Sequence, residues 1–332
     1  MLGTAILHFL AGAAVVVIAA SLLTKCADAI AQITKLGRLV VGSIFLALAT
    51  SLPELTVDLH ALKLGLPDLA AGDLLGSSLF NLAILAVADL FTQSRGRMLS
   101  RASAAHALSA TTSIVLTAIV VAGIASGAQV PPTTVGGVGI WSWAVLGAYL
   151  LIVRMVYFDQ RLSAQEVQEG TKEPGMKLPV AVGGFLGAAV VIFFAAPHVA
   201  ESASKIAELS GLGSTFVGTT LVALSTSLPE LVATLAAVRL GAFDLALGNI
   251  FGSNAFNMIL FVPLDLGYPG PLLAAVSPVH VLTGLAVILA TGIAVLGQLY
   301  HVEKRIRFVE PDAAMVLVVV IGALALLYAI RA

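Results

Sequence analysis

The stretch 42–81 is repeated, without a gap, at 218–257, always 176 residues further along the chain. Ala49-Thr50-Ser51-Leu52-Pro53-Glu54-Leu55 returns as Ser225-Thr226-Ser227-Leu228-Pro229-Glu230-Leu231. Gly65, Asp68, Gly72, Gly76, Ser77, Phe80 and Asn81 return as Gly241, Asp244, Gly248, Gly252, Ser253, Phe256 and Asn257. An internal duplication of this kind fixes architecture before any other signal does. Each copy sets a glutamate, hydroxyls and an asparagine inside long apolar runs. A charge at mid-membrane costs from about 3 to more than 10 kcal/mol, so a chain keeps one where something binds it. A purely structural role, holding helices together around a polar vestibule, would not require acid and hydroxyls to recur together.

The membrane assignment rests on composition. Of 332 residues, 59% are hydrophobic and 11% charged, against about 25% charged in a soluble domain. Ten apolar runs are long enough to cross a bilayer, which takes about 20 residues: 4–24, 39–62, 68–91, 102–125, 137–157, 179–200, 214–238, 244–264, 277–299 and 312–330. The fold predicted is an all-α polytopic membrane protein. The polar stretch 159–177 reads as a linker between a first half, 1–158, and a second, 178–332. The repeats fall at about 41–85 and 217–261. The segments 131–137 and 268–271 read as loops.

Lys and Arg collect on one side of the membrane. Alternate loops carry 14 of the 17 basic residues; that side is expected to be cytoplasmic, with the linker there and both termini outside. Five spans per half is an odd number, so the halves cross in opposite senses. The expected plan is two inverted five-helix repeats, the plan of many transporters, with the substrate site at mid-membrane where the repeats meet.

The motif supports cation chemistry. Proline inside a helix removes one hydrogen bond and frees the carbonyl four residues earlier. Pro53 and Pro229 thus free Ala49 and Ser225, and the carbonyls of Ala47 and Ala223 are the next available to a ligand. Thr50 and Glu54 are four residues apart on one helix face, as are Ser77 and Asn81. Gly72 with Gly76, and Gly248 with Gly252, are small-residue pairs that permit close helix approach. Carbonyl, hydroxyl and carboxylate oxygens suit hard cations such as Ca²⁺ and Na⁺; softer metals favour sulfur and imidazole. Cys26 is the sole cysteine and reads as a small apolar filler. The six histidines lack metal-ligand spacing, and His60, two residues past Asp58, is the best placed for a pH effect.

At these residues the chain resembles the sodium/calcium exchanger superfamily of cation antiporters: Thr-Ser-Leu-Pro-Glu-Leu and Gly-Ser-Xaa-Xaa-Phe-Asn look like its paired alpha repeats. The resemblance implies ion ligands at Glu54, Thr50, Ser51, Ser77 and Asn81. In the second copy it implies Glu230, Thr226, Ser227, Ser253 and Asn257, with backbone carbonyls from Ala47 and Ala223. It implies that the first and sixth spans form a moving pair. It also implies Ca²⁺ exchanged for Na⁺ by alternating access, with Ca²⁺ or another cation against H⁺ as the alternative. A cation channel fits less well, because channels usually repeat a pore around an oligomer axis. No enzyme is expected, since no nucleophile accompanies the glutamates, and no cofactor. The expected partners are the lipid bilayer and inorganic cations; no basic cluster suggests nucleic acid, and a monomer suffices. The segment 159–177 is too short for the calcium-sensing domain of larger exchangers.

Three departures stand out. Sodium-coupled members often carry an acid where this chain has Asn257. Asp58 and Asp73 in the first copy correspond to Thr234 and Asn249 in the second; they are read as lining an access path and attracting cations or, equally, as interface residues, solvated or paired. Ser78 faces Asn254.

Overall fold

The computed structural model describes residues 2–91, 104–127, 133–166, 175–210, 224–300 and 311–331. Within them lie ten apolar helices: α1 (Leu2–Thr34), α2 (Arg38–Lys63), α3 (Pro67–Phe91), α4 (Ala104–Ser126), α5 (Ile140–Glu166), α6 (Leu178–Ser210), α7 (Leu228–Arg239), α8 (Phe243–Gly267), α9 (Val279–Tyr300) and α10 (Pro311–Arg331). Eight of them are long and apolar enough to span a bilayer, and α5 has a shorter apolar stretch, Ile140–Met155. The described part of α7 begins at Leu228, behind a helical turn at 224–226.

Two elements outrun their expected length. α1 and α6 each have 33 residues, close to 50 Å of helix at about 1.5 Å per residue, where a hydrocarbon core needs about 30 Å. Their extra turns are polar-flecked segments that an apolar count stops short of. α5 likewise continues to Glu166, into the stretch expected as linker. The expected loop at 131–137 becomes, in its described part, a hairpin that pairs Thr134–Val135 with Val138–Gly139. Its turn is made by Gly136 and Gly137, both at positive φ.

The halves are inverted. α1 and α6 occupy equivalent places in the two copies and pack on each other. They run antiparallel: Gly12 of α1 meets Val199 of α6, and Gly184 of α6 meets Cys26 of α1. A duplication without inversion would set equivalent helices parallel. The equivalent pair α4 and α9 is antiparallel too, with Gly127 near Ala274, before α9, and Val121 against Gly284 further on.

Burial locates the centre. In the best apolar window of α8, 83% of residues are buried, against 22% in α1 and α6 and 17% in α10. α8 packs on α2, α3, α4, α5 and α7, and α1 and α6 form an outer wall with apolar side chains such as Leu7, Ile18, Leu186 and Phe194 exposed. A polar clamp repeats at the two ends of the bundle. At one, Asp68 in the first turn of α3 accepts from the Ser277 N–H at 2.6 Å and faces His280 Nε2 at 3.4 Å. At the other, its copy Asp244 faces His106 Nε2 at 3.1 Å.

Glycine allows α2 and α8 to touch backbone to backbone. A Cβ at Gly248 would come within 2.7 Å of the Leu39 carbonyl oxygen. At Gly252 it would lie 2.5 Å from Ser43 Cα, and at Gly42 2.6 Å from the Leu245 oxygen. The expected role of Gly248 and Gly252 is therefore met. Among the described residues a Cβ at Gly72 would meet the His280 ring at 3.1 Å, and one at Gly76 would meet nothing within 4 Å; the stretch around 218 lies outside the described residues.

Replacing Gly252 by Leu should force α2 from α8 and lower the melting temperature of the detergent-purified protein. Overpacking costs about 1–3 kcal/mol in a core that can yield, and backbone cannot yield. Gly187→Ala, where a new Cβ meets nothing within 4 Å, should leave the melting temperature unchanged.

Candidate functional site

The repeated motifs meet at the middle of the bundle, on α2 and α3 from one half and on α7, its preceding turn and α8 from the other. Thr50, Ser51, Glu54, Ser77, Asn81, Thr226, Ser227, Glu230, Ser253 and Asn257 are all at most 1% exposed.

The two proline motifs shape the backbone differently. α2 runs unbroken through Pro53, and its departure from α geometry lies two to three turns earlier, in a π turn at Val41–Leu46. That turn widens the helix where Gly42 presses on α8. The Thr50 hydroxyl lies 3.1 and 3.2 Å from the Leu46 and Ala47 carbonyls, and its single proton is shared among the acceptors around it. In the second copy the break falls at Ser227, a turn residue with Pro229 starting α7. Ala223 lies outside the described residues, as do Arg95, Arg97, Arg101, Lys172 and the cluster Lys304, Arg305 and Arg307.

The halves interlock side chain to side chain. The Ser51 hydroxyl donates to Glu230 Oε1 at 3.3 Å, and the Ser227 hydroxyl to Ser77 Oγ at 3.3 Å. Thr50 Oγ1 lies 3.4 Å from Ser253 Oγ, and Glu54 and Glu230 are close enough for their charges to act on each other. These contacts are longer than the 2.7–2.8 Å usual between hydroxyl and oxygen. Oxygens are gathered here but not closed on one another.

The asparagines show what is left over. Asn81 donates through Nδ2 to Asn254 Oδ1 at 3.0 Å. Asn257 donates through Nδ2 to Ser78 Oγ and to the Leu74 carbonyl, both at 3.4 Å. Each amide nitrogen is thereby turned into the helix packing, and each Oδ1 is left without a donor. Glu54 Oε2 and Glu230 Oε2 are likewise buried without one. Among the described residues, then, the quartet of two acids and two amides presents four donorless oxygens. An unsatisfied buried polar atom costs about 1–3 kcal/mol, and more when charged; such atoms call for a ligand or an ion. No ion pair among the described residues reaches either glutamate. A hard cation is the ligand this donor-poor, oxygen-rich centre fits.

With this geometry in view, relatives can be compared. Residues 4–158 and 180–331 match the sodium/calcium exchanger protein family. The chain belongs to that family. It is 32% identical over 274 residues to the inner membrane protein YrbG of Escherichia coli, covering 80% of this chain and 79% of that one. It is 49% identical over 83 residues to the sodium/calcium exchanger MaX1 of Methanosarcina acetivorans, 25% of this chain and 23% of that one. The fold of this family member also matches a solved structure of the sodium-calcium exchanger NCX_Mj soaked with Na⁺ and Sr²⁺. The TM-score is 0.71 at 19% identity, over 98% of this chain and 99% of that one.

Two features of this family member escape the motif reading. Asn254 bridges the halves, accepting from Asn81 and donating to the Ser78 carbonyl at 3.1 Å. Its mismatch with Ser78 across the repeat was the signal that could have found it. Asp58 is fully buried and not a solvated interface residue, while Asp73 is half-buried and accepts from the Thr226 hydroxyl at 3.3 Å.

Asn254→Ala should remove both bridges and lower stability by about 1–2 kcal/mol, the range for polar contacts between membrane helices. Thermal unfolding in detergent measures it.

Proposed function

We propose that this chain is a secondary antiporter that moves Ca²⁺ across the membrane in exchange for Na⁺ by alternating access. The supporting observation is the set of four donorless oxygens from Glu54, Glu230, Asn81 and Asn257, buried where the inverted halves meet. Around them the hydroxyls of Thr50, Ser51, Ser77, Thr226, Ser227 and Ser253 and the carbonyl of Ala47 add further oxygens; Ala223, the counterpart of Ala47, is the ligand expected from the second copy. Two carboxylates balance one divalent ion or two monovalent ones, so the ions compete for the same charges, and competition is the simplest basis of exchange.

α1 and α6 are the mobile pair in this reading. They pack on each other and hold few buried residues, whereas α2, α3, α7 with its preceding turn, and α8 carry the candidate ligands. A sliding wall can open the site to either side in turn. The distribution of basic residues supports a cytoplasmic linker with both termini outside; an alkaline phosphatase fused after Ala332 should then be active in a bacterial host.

H⁺ as the coupling ion is the second reading, and Asn257 favours it: one carboxylate fewer at the centre leaves less charge to hold several Na⁺. Ca²⁺ uptake into proteoliposomes separates the two. An imposed Na⁺ gradient should drive uptake and an imposed pH gradient should not; the reverse outcome selects H⁺.

Glu54→Gln and Glu230→Gln should each reduce Ca²⁺ uptake by about 100-fold or more, since changes even one shell further out cost about 10–100-fold at metal sites. Uptake retained by both variants would sink the two-carboxylate site.

A further inference from the structure

The inverted repeats build the same three-residue node twice, with opposite electrical character. In one, Asn249 donates through Nδ2 to the Thr234 hydroxyl at 3.2 Å and accepts at Oδ1 from the Thr50 hydroxyl at 3.4 Å. The node is neutral, and amide and hydroxyls answer one another. In the other, the equivalent positions hold Asp73, Asp58 and Thr226. The Thr226 hydroxyl donates to Asp73 Oδ1 at 3.3 Å, and the Asp58 carboxyl lies against that of Asp73. Asp58 is 0% exposed. Neither of its oxygens, nor Oδ2 of Asp73, meets a donor among the described residues.

Two carboxylates pressed together repel by about 4 kcal/mol at 4 Å and an effective dielectric of 20. No basic residue forms an ion pair with them among the described residues; the other charged groups close by are Glu54 and Glu230, also acids. One shared proton would bridge a single oxygen of each carboxyl and leave the second Asp58 oxygen unanswered at full burial. A cation meets several oxygens at once.

We propose that Asp58, Asp73 and the Thr226 hydroxyl form a second cation site, beside the one built on Glu54 and Glu230 and sharing Thr226 with it. Its ligands are all oxygen, so its occupant is a hard cation, Ca²⁺ or Na⁺. With it the chain holds two adjoining carboxylate pairs. An ion at the aspartates repels one at the glutamates, so filling either favours release from the other.

Equilibrium binding of ⁴⁵Ca²⁺ and, separately, ²²Na⁺ to the full-length protein in detergent tests this without relying on transport. The informative variant is D58T/D73N, which installs in the first repeat the pair that the second already folds around. It should bind one ion fewer per chain than wild type for at least one of the two cations. E54Q/E230Q should lose its own site and keep that ion. Unchanged ion counts in D58T/D73N for both cations, or no binding at all in E54Q/E230Q, would overturn the proposal. Should the double substitution fail to fold, Asp58→Asn alone, of nearly equal size, carries the same readout. Loss in D58T/D73N with none in E54Q/E230Q would instead leave this site standing and remove the glutamate site.

Discussion

Everything in this molecule answers to the expense of holding carboxyl groups away from water with no basic partner among the described residues. Desolvating a carboxylate costs several kcal/mol even after the protein relaxes, and at least four sit close together here on α2, α3 and α7. Apolar burial in the surrounding helices carries that burden, and the helices around α8 are the most enclosed in the bundle. The acids destabilise the fold unless a cation joins them. In the proposed site a bound cation would act on stability as well as on transport, through the same oxygens.

The geometry around those acids is set by smaller residues. Glycines at 42, 248 and 252 let α2 and α8 approach at backbone distance, which no larger side chain permits. The π turn at Val41–Leu46 sits on that seam, one turn before Thr50. The asparagines use their nitrogens to staple α3 to α8 and keep their oxygens free. One end of each amide packs the helices, and the other is the oxygen that the proposed site would use.

Much of this was legible in the sequence because it is duplicated. The constant offset exposed Glu54 with Glu230 and Asn81 with Asn257, and the odd number of spans implied inversion. Periodicity placed Thr50 beside Glu54 and Ser77 beside Asn81. What was not legible depends on contacts between the copies. A sequence repeat compares residues with their equivalents, not with their neighbours, so the Ser78–Asn254 mismatch marked the position but not that Asn254 reaches across to Asn81 and Ser78. The π turn of α2 was not legible either: the motif marks Pro53, whereas the turn lies at Val41–Leu46, on the seam with α8. Asp58 could not be told from an interface residue, because burial is a property of the assembled bundle and not of a run of letters.

The interlocking of α2 with α8 has a consequence for biogenesis. During synthesis the first half enters the bilayer long before α7 and α8 exist. Until then Glu54, Asp58 and Asp73 have neither the second half's hydroxyls nor its glycine seam, and α2 is a poorly anchored segment bearing naked acids. The nascent half must keep that face toward water, toward the insertion machinery or toward itself. Only when residues beyond about 240 arrive can the helix lock home, so productive assembly is a late, post-insertional step.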